Sequence, residues 1–339
     1  MDYKKIFNEV LPAATFISAE QPNEWIDLLY RNNWLDKSDQ ITSIEKAGEG
    51  NMNLVLRIKT SSKSLILKQS RPWVEKYPTV KAPANRIQAE AAFYQEVTAH
   101  QYFQKFCPQI IAFDTLTYLL VMEDLGAGTD YTSLYKKNNL LPDEELKVLM
   151  EFLTNLHNLT TPTYFPTNKE LKKLNHTHIF KYPFQKSNGF DLDLIESGLQ
   201  KLASYYQGNS ILQTRLDELG AHYLAEGKIL IHGDYYPGSW LKTVSGIKVI
   251  DPEFSHLGYA EFDFGVAVAH LHLAQVGDEK IKFAMHLYEK PDQFDENLFR
   301  GFCGAEIMRR LIGLAQLPLE LKLSEKEVLM EYANELILK

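Results

Sequence analysis

The alternation of apolar and polar positions changes character about one third of the way along the chain. Three short apolar runs, separated by turns rich in Gly and Ser, predict an antiparallel β-meander over residues 41–69. Apolar positions at helical spacing predict a helix over residues 84–99. An apolar run at 118–122 predicts a further strand, which ends at a glycine-containing break. The first third is therefore expected to be rich in β-structure.

The remainder of the chain is typical of helix. Residues 142–159 begin with Pro and acidic side chains and then repeat apolar positions with the helical period. Two short apolar runs, at 229–231 and 247–250, predict strands that interrupt this helical part. From about residue 262 the helical pattern returns.

These patterns together predict an α+β, bilobal fold. We expect a β-rich N-terminal lobe at residues 1–124 and a mainly helical C-terminal lobe at residues 125–339. A cleft between two such lobes is a natural place for a ligand. Site residues are therefore expected from both parts of the chain.

Composition narrows the classes of function. A formal net charge of −8 over 339 residues gives no support to a nucleic-acid or membrane-surface partner, because phosphate-rich surfaces attract basic faces. No apolar run is long enough to span a bilayer, and the N-terminus lacks the features of a signal peptide. Cys107 and Cys303 are too far apart for a disulfide framework or a metal motif, and we expect buried thiols. The sequence predicts a soluble, cytoplasmic protein.

A glycine-containing turn and a strand lysine are the first candidates for chemistry. The turn at residues 47–53 precedes a strand that leads to Lys68. Glycines let backbone N–H groups approach phosphate oxygens, and a strand lysine held by a helix carboxylate can bind α- and β-phosphates. Glu90 is the expected carboxylate, with Glu96 as the alternative. Taken alone, a hairpin turn and a surface lysine explain these residues equally well.

The loop His-Gly-Asp-Tyr-Tyr-Pro-Gly-Ser at residues 232–239 follows the predicted strand at 229–231. A carboxylate just beyond a strand end, here Asp234, can orient a substrate hydroxyl and accept its proton. Ser239 lies where an oxygen ligand could help to bind a metal. We expect His232 to brace the loop through backbone hydrogen bonds rather than to act as a base.

Two carboxylates, Asp251 and Glu253, directly follow the predicted strand at 247–250. Such a pair suits Mg²⁺, which prefers oxygen ligands shared with substrate phosphates. For this pair alone, a turn with solvated acids is an equally good interpretation. The stronger signal is the order along the chain: glycine turn, lysine, helix glutamate, loop aspartate and paired acids.

In this order the motifs resemble the aminoglycoside phosphotransferase and choline kinase superfamily, the protein-kinase-like small-molecule kinases. The loop at 232–239 is similar to that superfamily's His-Gly-Asp-x-x-x-x-Asn, with Ser in place of Asn. This Ser and the Asp-Pro-Glu-Phe at 251–254 resemble the methylthioribose kinase branch. Residues 48–53 look like the glycine loop of that branch, and residues 304–315 resemble its helix with paired arginines.

The resemblance implies an ATP- and Mg²⁺-dependent kinase that phosphorylates a hydroxyl of a small molecule, such as methylthioribose or a related sugar. The N-terminal lobe would bind the nucleotide, and the C-terminal lobe would bind the acceptor and carry the catalytic Asp234. The residues implied to bind ATP are Gly48, Gly50, Asn51, Lys68, Glu90, Glu123 and Leu125. The residues implied to hold Mg²⁺ are Asp251, Glu253 and Ser239.

The resemblance also implies a role for Arg309 and Arg310 in the active site. Guanidinium groups there would stabilise the transferring phosphate or bind the sugar. Two arginines extending along an exposed helix face are the alternative. Paired arginines favour a neutral or anionic acceptor over a cationic one.

Several segments depart from the methylthioribose kinase branch, so other substrates are also possible interpretations. The segment at 73–78 differs from methylthioribose kinases, and Tyr235, Tyr236 and Trp240 add aromatic bulk near the catalytic loop. A kinase of aminoglycosides, choline, homoserine or another small molecule is therefore an alternative. A non-catalytic nucleotide-binding pseudokinase is a second one, although the expected catalytic residues are all present.

A metalloprotein built on histidines is the remaining rival, because His176 and His178 form one i, i+2 pair and His270 and His272 form another. Neighbours at that spacing diverge on a helix and point to opposite faces of a strand, and no third ligand lies at metal-site spacing. Solvated or packed histidines are the better interpretation. The sequence leaves open whether the chain pairs as a homodimer.

Overall fold

The computed structural model describes residues 2–48 and 52–339. The chain divides into two compact units, Met1–Gly128 and Thr129–Lys339. Within the described ranges, no helix combines the length and the apolar character that a bilayer crossing requires.

The first unit contains an antiparallel sheet with the strand order β1-β2-β3-β7-β6. A separate hairpin pairs β4 with β5. The strands are β1 (Ile41–Lys46), β2 (Leu54–Thr60), β3 (Ser64–Gln69), β4 (Trp73–Val74), β5 (Tyr77–Lys81), β6 (Ile110–Asp114) and β7 (Leu119–Glu123). The helices are α1 (Tyr3–Val10), α2 (Ile26–Arg31), α3 (Arg86–Thr98) and α4 (Gln101–Gln104).

The two faces of this sheet have different partners, because side chains alternate along each strand. One face packs a hydrophobic core against the segment that precedes β1, with Trp25 and Leu29 of that segment fully covered. Leu65 and Leu67 of β3 belong to this core. Lys68 points to the opposite face, towards Glu90 of α3.

The second unit is mainly helical, with two small antiparallel β-elements. One has the strand order β11-β10-β8, and the other pairs β12 with β9. Its strands are β8 (Gly128–Asp130), β9 (Ile229–Ile231), β10 (Trp240–Thr243), β11 (Gly246–Val249) and β12 (His256–Gly258). The helices are α5 (Asp143–His157), α6 (Lys169–Phe180), α7 (Leu199–Ala203), α8 (Ser210–Leu224), α9 (Ala260–Leu273), α10 (Asp278–Leu287), α11 (Glu296–Ile312) and α12 (Leu323–Leu338).

Helices α9 and α11 form the centre of the second unit. They pack against each other, and α11 also packs against α12. Every residue of α11 from Gly301 to Ile312 is buried, including its charged side chains. At Gly265 of α9, a Cβ would lie 3.1 Å from the backbone nitrogen of Cys303, so the helices approach closely there. A charged residue on this helix pair must therefore find a partner inside the protein.

The pattern of apolar positions predicted the longer elements well. The β-meander over 41–69 and the helices over 84–99 and 142–159 are confirmed, within a few residues at their ends. Strands β6, β8, β10 and β12 and the β4–β5 hairpin were missed, because all of them except β6 lack an uninterrupted apolar run of three residues. Cys107 and Cys303 are buried free thiols, as predicted.

Candidate active site

The loop after β9 presents Asp234 through a conformation that requires glycine before it. Gly233 has a φ of +83°, and a Cβ there would lie 2.3 Å from the carbonyl oxygen of Phe254. β9 pairs antiparallel with β12, and this pairing fixes the end of β9 at which the loop begins. Asp234 follows directly, with 19% of its side chain exposed, so a small molecule can reach the carboxylate.

Asp263, in the first turn of α9, fixes this loop. Its buried carboxylate accepts hydrogen bonds from the backbone N–H groups of His232, at 2.5 Å, and Gly233, at 2.8 Å. His157 Nε2 lies 3.3 Å from the same carboxylate, and the Tyr288 hydroxyl lies 2.6 Å from His157 Nδ1. Burial raises the pKa of Asp263, but hydrogen bonds from His157 and the backbone outweigh it and hold the pKa below its ordinary value. Asp263 was not among the predicted site residues, because its only signal is an acidic side chain inside an apolar helix.

Further hydrogen bonds join the loop to the residue before Asp251. His232 Nε2 donates to the carbonyl of Ile250 at 3.0 Å, and the N–H of Asp234 donates to His232 Nδ1 at 3.3 Å. The predicted bracing role of His232 is thereby confirmed, with the ring proton assigned to Nε2 from these partners. Ser239 Oγ donates to the carbonyl of Asp234 at 2.8 Å, and the N–H of Ile250 donates to the carbonyl of Ser239 at 3.0 Å. Asp251 is therefore held beside the loop that carries Asp234.

The two acids predicted to bind metal have different surroundings. Asp251 adopts the left-handed region, with φ 62° and ψ 45°, which Asp tolerates better than most residues, and its side chain is exposed. Glu253 is buried, and its backbone carbonyl accepts a hydrogen bond from the Asn168 side chain at 2.7 Å. Nowhere in residues 2–48 and 52–339 do three or more His, Cys, Asp or Glu side chains form a metal-binding group. A pair of carboxylates fits Mg²⁺, which takes its other ligands from phosphates and water, and does not fit zinc.

Arg309 and Arg310 lie near the end of α11 and are only 7% and 5% exposed. The alternative in which they extend along an exposed helix face is therefore wrong. Arg310 Nη2 lies 3.3 Å from Asp234 Oδ1, and the guanidinium carbon lies 4.9 Å from the centroid of the Tyr236 ring. Helix α11 thus brings a permanent positive charge to the loop carboxylate.

Glu306, to which the sequence analysis gave no role, joins the two arginines. Its Oε1 accepts a hydrogen bond from Arg310 Nε at 2.6 Å, and its Oε2 accepts one from Arg309 Nη1 at 3.0 Å. The spacing of three and four residues places all three side chains on one side of the helix. The Nε of Arg309 is buried and has no hydrogen-bond partner among the residues that the structure describes. The two arginines are therefore not equivalent.

The electrostatic balance at Asp234 favours a basic carboxylate. Burial raises the pKa of Asp234 above its ordinary value, and the charges of Arg310 and Arg309 only partly offset this effect. Glu306 and Asp263 act in the same direction as burial, because nearby negative charges disfavour ionisation. A carboxylate with a raised pKa accepts a proton more readily than an ordinary Asp.

In the first unit, Lys68 and Glu90 form a buried ion pair. Lys68 Nζ lies 2.9 Å from Oε1 and 2.8 Å from Oε2 of Glu90 on α3. Both side chains are almost fully buried, at 3% and 1% exposed. The pairing partner is thus Glu90, as predicted, and the interpretation of Lys68 as a surface lysine is wrong.

The remaining nucleotide-binding candidates also belong to the first unit. Gly48 has a φ of +98°, which favours glycine, whereas Gly50 and Asn51 lie outside the described residues. The N–H of Glu123 donates to the carbonyl of Gln109 at 2.9 Å. Leu125 is half-buried.

The residue that follows Glu123 anchors the end of β7. Asp124 accepts two hydrogen bonds from Arg57, at 2.8 and 3.1 Å, and one from Ser64 Oγ at 2.5 Å. Although burial raises its pKa, these bonds lower the pKa of Asp124 below the ordinary value. Asp124 was not among the predicted site residues.

A lysine–glutamate pair on a strand and helix, and a loop aspartate after a strand, are the parts that a kinase-like phosphotransferase uses. The chain belongs to the phosphotransferase enzyme family, whose model matches residues 43–311. It is similar to a methylthioribose kinase of Exiguobacterium sibiricum, with 27% identity in an alignment that covers 85% of this chain and 84% of the relative. The protein is therefore an enzyme, a small-molecule kinase, as the sequence predicted.

Solved structures share the fold. A choline kinase from Streptococcus pneumoniae matches with a TM-score of 0.53 and 13% identity, covering 94% of this chain and 99% of the kinase. A spectinomycin phosphotransferase in complex with ADP and spectinomycin matches with a TM-score of 0.53 and 15% identity, covering 95% and 98%. The predicted α+β, protein-kinase-like fold class is confirmed.

Proposed function

We propose that this enzyme transfers the γ-phosphate of ATP, with Mg²⁺, to a hydroxyl of methylthioribose or of a closely related sugar. The observation that carries the proposal is the buried Arg310 beside the accessible carboxylate of Asp234. The similarity to a methylthioribose kinase over most of both chains supports the choice of acceptor.

In this proposal the second unit performs the proton transfer. Asp234 Oδ1 contacts Arg310, and no described residue donates a hydrogen bond to Asp234 Oδ2. The acceptor hydroxyl would donate to that oxygen and lose its proton to it as the hydroxyl oxygen bonds to the γ-phosphorus and ADP leaves. Arg309, held beside Arg310 by Glu306, would contact the acceptor or the transferring phosphoryl group.

The first unit would hold the nucleotide. A lysine fixed by a carboxylate is suited to the α- and β-phosphates, and the geometry of Lys68 and Glu90 supports this role. The carbonyl of Glu123 and the backbone of Leu125 are proposed to meet adenine, and the turn that contains Gly48 is proposed to approach the phosphates.

Asp251 and Glu253 are the residues proposed to hold Mg²⁺, with Ser239 as an oxygen nearby. When bound, the ion would neutralise charge on the phosphate oxygens. Support comes from the exposure of Asp251 and from the hydrogen bonds that tie Ile250 to the catalytic loop. Ser239 already donates to the carbonyl of Asp234, so only its oxygen lone pairs are available to a metal.

The test is release of ADP from Mg·ATP in the presence of methylthioribose, ribose, choline, homoserine and an aminoglycoside, each assayed separately. Turnover that is at least about tenfold faster with methylthioribose than with any other acceptor supports the proposal. Preferred turnover of another acceptor would leave the kinase class intact and reject the sugar.

A further inference from the structure

A chain of buried side chains leads away from Asp234 through α11 to a distant tyrosine. Behind Arg310 and Arg309 lies Glu306, which is 1% exposed and contacts both guanidinium groups. Behind Glu306 lies His270 of α9, whose Nε2 is 3.2 Å from Glu306 Oε1. Each guanidinium is thus paired with a carboxylate inside the protein.

The chain continues from His270 to Tyr135. The Tyr135 hydroxyl lies 2.5 Å from His270 Nδ1, and both side chains are buried. Burial lowers the pKa of His270 to about 4, so the ring is neutral at physiological pH. Burial raises the pKa of Glu306, but the charges of Arg309 and Arg310 dominate and hold that pKa well below its ordinary value.

These protonation states give one consistent set of donors. Glu306 is ionised and accepts only, so the neutral ring of His270 donates from Nε2 to Glu306 and accepts the Tyr135 proton at Nδ1. Each bond in the chain from Tyr135 to Asp234 then has one donor and one acceptor. A flexible arginine side chain is in this way held in one position.

We propose that Glu306 is a positioning residue for phosphoryl transfer, which acts by fixing Arg310 against Asp234 while His270 and Tyr135 fix Glu306. The inference rests on the proposed function of Asp234 as the base. Glu306 contacts neither the acceptor nor ATP in this proposal, and it acts mainly through Arg310, the guanidinium that it links to Asp234. Its contacts with Arg309 Nη1, at 3.0 and 3.4 Å, hold the second guanidinium beside the first.

A double-mutant cycle tests this inference. Arg310→Met is expected to lower kcat by about 10²-fold, and Glu306→Gln by about tenfold or more, with KM for ATP changed by less than about threefold in each. Because Glu306 acts through Arg310, adding Glu306→Gln to Arg310→Met should lower kcat by less than about twofold further. Effects that multiply would overturn the proposal, and so would wild-type kcat in Glu306→Gln.

The matched control is Glu261→Gln. Glu261 is another buried glutamate of the second unit, but it contacts the N–H of Asp295 and neither arginine. The Glu261→Gln variant should keep kcat within about twofold of the wild-type value. If Glu306→Gln does not fold, Tyr135→Phe gives the same cycle, with a smaller loss of kcat that should disappear in the Arg310→Met background.

The cycle is measured both on acceptor phosphorylation and on ATP hydrolysis without acceptor. If the wild-type enzyme phosphorylates none of the acceptors tested, the proposed acceptor is wrong. The coupling between Glu306 and Arg310 can then still be measured from the rate of ATP hydrolysis. Wild-type phosphorylation with uncoupled variants would reject the positioning role alone.

Discussion

Arg310 Nη2 lies 3.3 Å from Asp234 Oδ1, so a buried guanidinium contacts the one loop carboxylate that the sequence singles out as a base. The two residues are 76 positions apart in the chain. A positive charge at this distance stabilises ionised Asp234, while burial opposes ionisation. The proposed site thus combines a carboxylate of raised pKa with a fixed cation, which suits it to accept a proton and to stabilise charge on a transferring phosphoryl group.

Replacing Asp234 by Asn removes the proton acceptor and keeps the shape of the side chain. We expect kcat to fall by about 10²- to 10⁴-fold, the usual contribution of a general base, with little change in ATP affinity. Since the folded pKa of Asp234 is raised, the ionised carboxylate opposes folding at neutral pH, so the neutral Asn should not lower the melting temperature. Steady-state kinetics, ATP titration and thermal unfolding at pH 7 measure the three quantities. Turnover near the wild-type rate would contradict the role of Asp234.

The pH dependence of kcat should show the raised pKa of Asp234. The base is active only when ionised, so activity should be lost as pH falls through its pKa. Because burial raises that pKa, the acid limb should lie above the pH at which an ordinary aspartate titrates. The charged or titratable groups that act on this carboxylate are Arg309, Arg310, Glu306, Asp263, Tyr135, Tyr223 and Tyr236. The measurement is a profile of kcat from pH 4 to 9, with thermal unfolding at each pH as the control. A kcat that stays constant down to the pH at which an ordinary aspartate titrates would contradict this assignment.

The sequence was informative where a local pattern carries the chemistry. Lys68 and Glu90 could be paired in advance, because a strand end and the following helix bring them together over a short distance in the chain. Asp234 was predicted as a candidate base from its position directly after a predicted strand. These residues belong to short motifs whose spacing reflects local geometry.

The contacts that hold the site could not be predicted in the same way. Asp263 meets His157 and the loop backbone, and Glu306 meets His270, through the packing of α9 against other elements of the unit. Asp263 is an acidic residue inside a mainly apolar helix, and nothing in its neighbours along the chain specifies its partners. The helical spacing of Glu306 indicates its arginine partners but not His270. Such pairings depend on tertiary packing, which periodicity does not encode.

Loss of the Lys68 ammonium should weaken use of ATP. We expect Lys68→Met to lower kcat/KM for ATP by about 10²-fold, because a positioned cation at the phosphates is removed. Lys59→Met is the matched control, since Lys59 lies on the neighbouring strand β2 with an exposed side chain and pairs with Glu45 at 2.7 Å. An equal loss of activity in both variants would show that Lys68 has no specific role with ATP.

Asp263→Asn should destabilise the second unit. The amide cannot accept the bonds from two backbone N–H groups and His157 as the carboxylate does, and the site is fully buried, so we expect a loss of about 2–3 kcal/mol in the free energy of unfolding. The folded pKa of Asp263 is lowered, so its contribution is present above the unfolded pKa and is lost as pH falls through the folded pKa. The difference in stability between wild type and Asp263→Asn should therefore shrink at acidic pH. Denaturant unfolding at pH 7 and pH 3 measures it, and a pH-independent difference would contradict the argument.

The proposed Mg²⁺ site predicts an effect on the Mg²⁺ requirement that can be measured apart from ATP binding. Asp251→Asn removes the charge of the exposed carboxylate at the end of β11 and keeps its size, and Asn tolerates the left-handed backbone as well as Asp does. We expect the Mg²⁺ concentration for half-maximal activity to rise by about tenfold or more, which corresponds to about 1.4 kcal/mol of binding free energy. Asp292→Asn, at another exposed aspartate of the same unit, is the control and should leave the Mg²⁺ dependence unchanged. A fall in kcat at an unchanged Mg²⁺ requirement would mean that Asp251 acts on the reaction in another way and that the ion is held elsewhere.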